Sequence, residues 1–183
     1  MTSAPSAPAI RAAVAADAAA LAALYRPYVE LGRASFEEVA PDAAEMARRV
    51  LAEPRLPWLV AELDGQVVGY AYASPHGSRP AYRWTCDCSV YVGPAATGHG
   101  VGSALYVRLL PVLADLGYTT AMAAIVLPND ASIRLHTRFG FHLAGTFRRV
   151  GWKHGQWCDV AWYQRVLAEA VGSPRDPRPW QPG

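Results

Sequence analysis

Three glycines at alternate positions, Gly98, Gly100 and Gly102, follow a run of strand-forming residues from Tyr82 to Val92. They open a helix whose Leu105, Leu109, Val112, Leu113 and Leu116 share one face. A strand that passes through a glycine loop into a helix presents unpaired N–H groups at the helix N-terminus, and these can converge on a phosphate or pyrophosphate. The same residues suit a plain glycine-capped turn, so the loop has to be read with its surroundings.

Ahead of the loop, Ile10 to Val14 reads as a short strand. Asp17 is expected to cap a helix with Leu21, Leu24, Tyr25 and Tyr28 on one face, and Pro27 to kink or end it. A second helix is expected from Asp42 to about Glu53. Trp58 to Leu63 and Gln66 to Ser74 form a hairpin about Asp64-Gly65, a pair suited to a tight two-residue turn. Beyond the loop, the apolar run Thr119 to Leu127 predicts a strand buried on both faces, and a short helix then stops at Gly140. Phe141 to Val150 and Trp157 to Leu167 pair about a turn at Gly151 to Gln156. The order β-α-α-β-β-β-α-β-α-β-β predicts an α/β (α+β) fold, a mixed and mostly antiparallel central sheet flanked by helices. One domain over 10–168 is expected, between a flexible N-terminus at 1–9 and a Pro-rich disordered tail at 169–183.

The charges exclude some partners. Seventeen basic against fifteen acidic residues leave a net charge of +2 with no basic block, so no nucleic-acid partner is expected. Met1 to Ala9 lacks the charged start and apolar stretch of a secretory signal. The Ala-rich run Ala12 to Leu24 is broken by Asp17 and falls short of the ~20 apolar residues of a membrane span. A cytoplasmic protein with no membrane partner is expected. Cys86, Cys88 and Cys158, an odd number, suit reduced thiols, and no His or Cys follows at ligand spacing, so no metal is expected.

Of the pyrophosphate carriers, a P-loop needs Lys before the Ser or Thr, but Ser103 follows Gly102 directly. A dinucleotide site needs an acidic residue about 20 positions on, and Tyr118 to Leu127 has none. Coenzyme A remains. Thr97-Gly98-His99-Gly100-Val101-Gly102 resembles the acetyl-CoA loop of the GNAT superfamily, [QR]-x-x-G-x-[GA]. Trp84-Thr-Cys-Asp-Cys-Ser-Val-Tyr-Val92, Leu127-Pro-Asn-Asp-Ala-Ser-Ile-Arg-Leu-His136 and Lys153-His-Gly-Gln-Trp-Cys-Asp-Val160 are similar to its phosphinothricin acetyltransferase branch.

The resemblance implies an acetyl-CoA-dependent N-acetyltransferase acting on a small amino acid or toxic analogue, and a homodimer. Backbone groups of Val90, Tyr91 and Val92 would hold the pantetheine, and Gly98, His99, Gly100, Val101, Gly102 and Ser103 the pyrophosphate. Asn129 would meet the pantetheine arm or cap the next helix. Asp87, where relatives carry Glu, would be the base, and His136 a proton relay or thiolate-protonating acid. Phe36, Arg79 and Tyr82 would line the acceptor pocket. The chain departs from the pattern at Thr97 and Ala95, which remove charge near the phosphates, and at His76 and Gly77, which replace Trp and Lys. Two alternatives stay open: acetylation of another small amine, and a non-catalytic acyl-CoA-binding module.

Overall fold

The structure, a computed structural model, describes residues 7–169 and 172–182. Its elements follow the expected order. They are β1 (Ala9–Ala12), α1 (Ala18–Glu30), α2 (Ala43–Val50), β2 (Trp58–Leu63), β3 (Gln66–Pro75), β4 (Thr85–Val92), α3 (Val101–Leu116), β5 (Thr120–Val126), α4 (Asp130–Arg138), β6 (His142–Lys153) and β7 (Gln156–Val166). The strands form one seven-stranded sheet in the order β1-β2-β3-β4-β5-β7-β6, antiparallel throughout except for β4 beside β5.

Alternation along the strands divides the core. Cys86 and Cys88 of β4 and Ala121 and Ala123 of β5 face Leu105, Tyr106, Leu109 and Leu113 of α3. On the other face, Trp58, Val60 and Tyr70 pack under Leu21, Tyr25 and Val29 of α1 and Met46 and Val50 of α2. All three cysteines are free and buried.

Several local expectations are corrected. Helix α1 runs one turn past Pro27, because a proline so near the C-terminus removes a single intrahelical bond while its own carbonyl still accepts from the Leu31 N–H. Asp17 makes no side-chain cap to α1. It accepts from the Val14 N–H at 2.8 Å and takes a two-pronged ion pair from Arg11 at 2.7 and 2.8 Å. Asp42 does cap α2, accepting from the Glu45 N–H, but that helix ends at Val50. The last hairpin turns at His154-Gly155, both with positive φ, so β6 extends to Lys153. Strand β5 is fully buried on one face only; on the other, Thr120 and Met122 are half-buried, Ala124 is exposed and Val126 is buried.

Part of the expected N-terminal segment, residues 1–6, lies outside the described residues, as do 170, 171 and 183 of the expected tail. Residues 172–182, expected to be disordered, lie against the domain. The Trp84 Nε1 donates to the Arg175 carbonyl at 2.8 Å, and Arg178 bonds back to Asp115 and Leu116 at the end of α3. Trp180 is only 8% exposed and joins the core beneath α3, with the Arg55 guanidinium 5.9 Å from its ring centroid. The burial of a large ring in that core outweighs the absence of helical or strand periodicity.

Trp180→Ala is therefore expected to cost about 3 kcal/mol and to lower the melting temperature by roughly 6–12 °C in a domain of this size. Thermal unfolding checks it, and a change below about 1 °C would show that the docked segment adds nothing to stability.

Candidate active site

Strands β4 and β5 pair through only three rungs, Thr85–Thr120, Cys86–Ala121 and Asp87–Met122, and then diverge. The gap opens into a cleft of about 670 Å³ whose walls include Ser89 to Val92 of β4, Ala124 to Val126 of β5, the glycine loop and α4. Hydrogen bonding along β4 alternates. His76 donates to the Thr85 carbonyl and Gly93 to Val68, so odd-numbered residues bond toward β3 and even-numbered ones face the gap.

This alternation sorts the expected pantetheine contacts. Tyr91 pairs with Tyr70 of β3. Val92 faces the gap but is engaged by Tyr28, whose hydroxyl donates to its carbonyl at 2.6 Å and accepts from its N–H at 3.2 Å. The backbone of Val90, and of Cys88 before it, is left facing the cleft. Only Val90 of the three expected residues keeps both backbone groups available, and Tyr28 is a cleft residue that the sequence did not reveal.

At the far end, Gly98 and Gly100 have φ of +84° and +80°, and a Cβ at either would meet no atom within 4 Å, so the backbone there lies bare. Helix α3 starts at Val101 without any side-chain cap, which leaves the N–H groups of Val101, Gly102 and Ser103 for an anion. A Cβ on Gly102 would come 3.1 Å from Leu135 Cδ2, so its lack of a side chain lets α4 close against α3. Arg134 and Arg138, one turn apart on α4, line the same cleft and supply the cations that Ala95 and Thr97 lack. Bare amides, an uncapped helix start and two guanidiniums suit a pyrophosphate on a long thin ligand, and acetyl-CoA fits the residues present.

Asp87 occupies the last rung before the strands part, on the same face as Ser89 of the cleft wall. Its Oδ1 lies 2.7 Å from His76 Nδ1. Burial raises its pKa above the ordinary carboxylate value, and the His76 bond partly opposes this. The His76 ring meets Tyr82 edge-on at 5.5 Å and Trp162 of β7 at 5.7 Å.

His136 is 4% exposed at the cleft wall. Its Nδ1 lies 2.8 Å from the Ser132 carbonyl, which can only accept, so the proton sits on Nδ1 and Nε2 accepts from the Tyr106 hydroxyl at 2.8 Å. Burial lowers its pKa. With both nitrogens engaged, His136 ties α4 to α3. Asn129 caps α4, accepting from the Ser132 N–H at 3.1 Å, and also lines the cleft.

The expected acceptor residues are not gathered into one cluster. Tyr82 is beside His76. Phe36 rests on Gly151 of β6, where a Cβ would collide with its ring. Arg79 is exposed at the head of the short turn Pro80–Tyr82, and no side-chain bond to it is found among the described residues. The Phe36 loop is pinned by Lys153, the only lysine, which is 7% exposed and donates to the Ser35 and Glu37 carbonyls at 2.5 and 2.8 Å.

Comparison with known proteins agrees with this geometry. Residues 10–162 match the family model of the acetyltransferase (GNAT) domain. The chain is 41% identical to a phosphinothricin N-acetyltransferase of Streptomyces viridochromogenes, over 93% of each chain. It is 36% identical to an L-methionine sulfoximine/L-methionine sulfone acetyltransferase of Salmonella typhimurium, over 87% of this chain and 95% of that one. Its fold superposes on a crystal structure of a GNAT superfamily phosphinothricin acetyltransferase from Sinorhizobium meliloti in complex with AcCoA. The TM-score is 0.88 at 39% identity, covering 93% and 94% of the two chains. A bare glycine loop at the mouth of a strand-lined cleft and a match spanning the domain lead to one conclusion: the chain belongs to the GNAT family and is an acetyl-CoA-dependent N-acetyltransferase.

Proposed function

We propose that the enzyme acetylates the amino group of a small amino acid or a toxic analogue of one, such as phosphinothricin or methionine sulfone or sulfoximine, within a ternary complex. The names of its relatives support this substrate class, and resistance to such a compound follows from it. The observation that carries the reading is Asp87 at the point where β4 and β5 part. A cytoplasmic setting agrees with the three free buried thiols.

The amine arrives as an ammonium of pKa near ~10 and must lose a proton before it attacks the thioester carbonyl. Asp87 supplies that basicity in this reading, directly or through a group that it holds. The Val90 N–H, facing the cleft without a partner on β5, is available to the negative charge that grows on the carbonyl oxygen. Gly98 to Ser103 with Arg134 and Arg138 would hold the diphosphate end, and Asn129 the arm between. Phe36, Arg79 and Tyr82 would border the acceptor. Arg79 suits a carboxylate or phosphinate through its planar fork.

We also propose a homodimer. Strand β6 is an edge strand twelve residues long, and Leu143, Phe147, Val150 and Trp152 on it and Trp157 on β7 are all at least half exposed. A long apolar edge left in water invites pairing, and a second copy of the same edge is a self-complementary cover.

Asp87→Asn is expected to lower kcat by about 100- to 10,000-fold and to leave the acetyl-CoA Kd unchanged in calorimetry. Loss of cofactor affinity instead would mean that Asp87 belongs to the binding machinery. Because Asp87 must be ionised and burial raises its pKa, kcat/KM should fall as pH drops through a value above the ordinary carboxylate range. Gly100→Val forces a branched side chain to a φ of +80° where the diphosphate must approach, and is expected to abolish acetyl-CoA binding; an unaltered Kd would refute the loop's role. Trp152→Glu should convert the dimer to monomer in light scattering, and a dimer that survives would move the interface elsewhere. Release of free CoA against a panel of amines separates the acceptors, and turnover with none would favour a binding module.

A further inference from the structure

We propose that the base facing the acceptor amine is the imidazole of His76, and that Asp87 is the positioning carboxylate behind it. The inference deepens the enzymatic reading and rests on it. Asp87 Oδ1 is 2.7 Å from His76 Nδ1. A carboxylate there fixes the tautomer with its proton on Nδ1, which leaves the lone pair on Nε2. Nε2 has no protein hydrogen-bond partner among the described residues, and the side chain is 26% exposed. The ring is held edge-on between Tyr82 of the Pro80–Tyr82 turn and Trp162 of β7, so its free nitrogen has a fixed bearing rather than a free rotor's spread.

Reach argues the same way. Asp87 sits at the closed end of the β4–β5 gap, half buried, with one oxygen already committed to an imidazole. The imidazole lengthens the reach of that short side chain by the width of a ring. His76 follows directly on β3, eleven residues before Asp87 in sequence, and its backbone N–H bonds to Thr85 of β4, so the pair is built by strand register and not by a wandering loop.

The step balances. His76 Nε2 takes one proton from the ammonium and sheds it to water. The neutral amine nitrogen forms the C–N bond as the thioester C–S bond breaks, with its electron pair left on sulfur, and the second nitrogen proton ends on that sulfur as CoA thiol. Asp87 stays ionised and hydrogen-bonded to Nδ1 throughout. The titratable groups around the pair are Tyr82 beside His76, and Tyr72 of β3 and Cys88 of β4, which feel the Asp87 charge and are held neutral by raised pKa values. No arginine or lysine forms an ion pair with either member among the described residues.

The test is His76→Asn, whose amide can still donate to Asp87 in place of Nδ1 but has nothing in place of Nε2. It is expected to lower kcat/KM for the amine by about 100-fold or more, with acetyl-CoA Kd and the melting temperature unchanged. His76→Asn with Asp87→Asn should be little slower than the slower single variant, as for two residues acting as one unit. In the wild type, the acid limb of kcat/KM should shift with temperature as an imidazole ionisation does, and a limb that scarcely moves, as for a carboxyl group, overturns the assignment even should His76→Asn fail to fold. His76→Asn within about threefold of wild type also overturns it, while leaving the acetyltransferase reading intact. A wild-type protein that binds acetyl-CoA but acetylates no amine overturns both.

Discussion

The parting of β4 from β5 after three rungs is the constraint on which the rest depends. A parallel pair that continued would satisfy every backbone group between the strands and leave nothing for a ligand. Because pairing stops at Asp87 and Met122, the even-numbered backbone groups of β4 lack a partner strand, and a linear amide-bearing molecule can take that place in the manner of an added strand. The interruption is held open from both sides. Helix α3 packs beneath the rungs through Leu105 and Leu109, and β7 covers the whole outer edge of β5, from Thr120 to Val126, so that strand cannot swing back to close the gap.

Much of this was legible in the sequence because it depends on local chemistry. Gly98 and Gly100 announced a loop that adopts positive φ and exposes its amides, and Asp64-Gly65 a tight turn, since few other residues tolerate those conformations. The order of elements followed from periodicity. What escaped was set by contacts distant in sequence. Nothing local says that the Tyr28 hydroxyl reaches Val92, sixty-four residues on, or that His76 turns its Nδ1 toward Asp87. Arg134 and Arg138 were findable in principle, because their spacing of four places both on one face of a helix just after Asn129. The docked Pro-rich segment was not, since Trp180 packs without any repeat that a pattern could register.

The residues proposed for the acceptor are organised differently from those proposed for the cofactor. A glycine loop that holds its ligand through backbone, as proposed for Gly98 to Ser103, is indifferent to much side-chain change, so Thr97 and Ala95 can stand there without charge. The side chains proposed for the acceptor lie on two separate segments. Phe36 is seated on Gly151 by the Lys153 clamp on the 35–37 carbonyls, Tyr82 leans on His76, and Arg79 rides the same short turn as Tyr82.

The burial of Lys153 has one more effect. An enzyme that works beside a reactive thioester exposes its own ε-amines to stray modification, and such an amine must be both neutral and reachable to react. Burial lowers the Lys153 pKa and so favours the neutral form, yet the nitrogen is enclosed and both of its carbonyl partners would have to be released first. With every other side-chain cation on the chain an arginine or a histidine, the folded surface offers no lysine for adventitious acetylation. The catalyst is in this respect inert toward the reagent it carries.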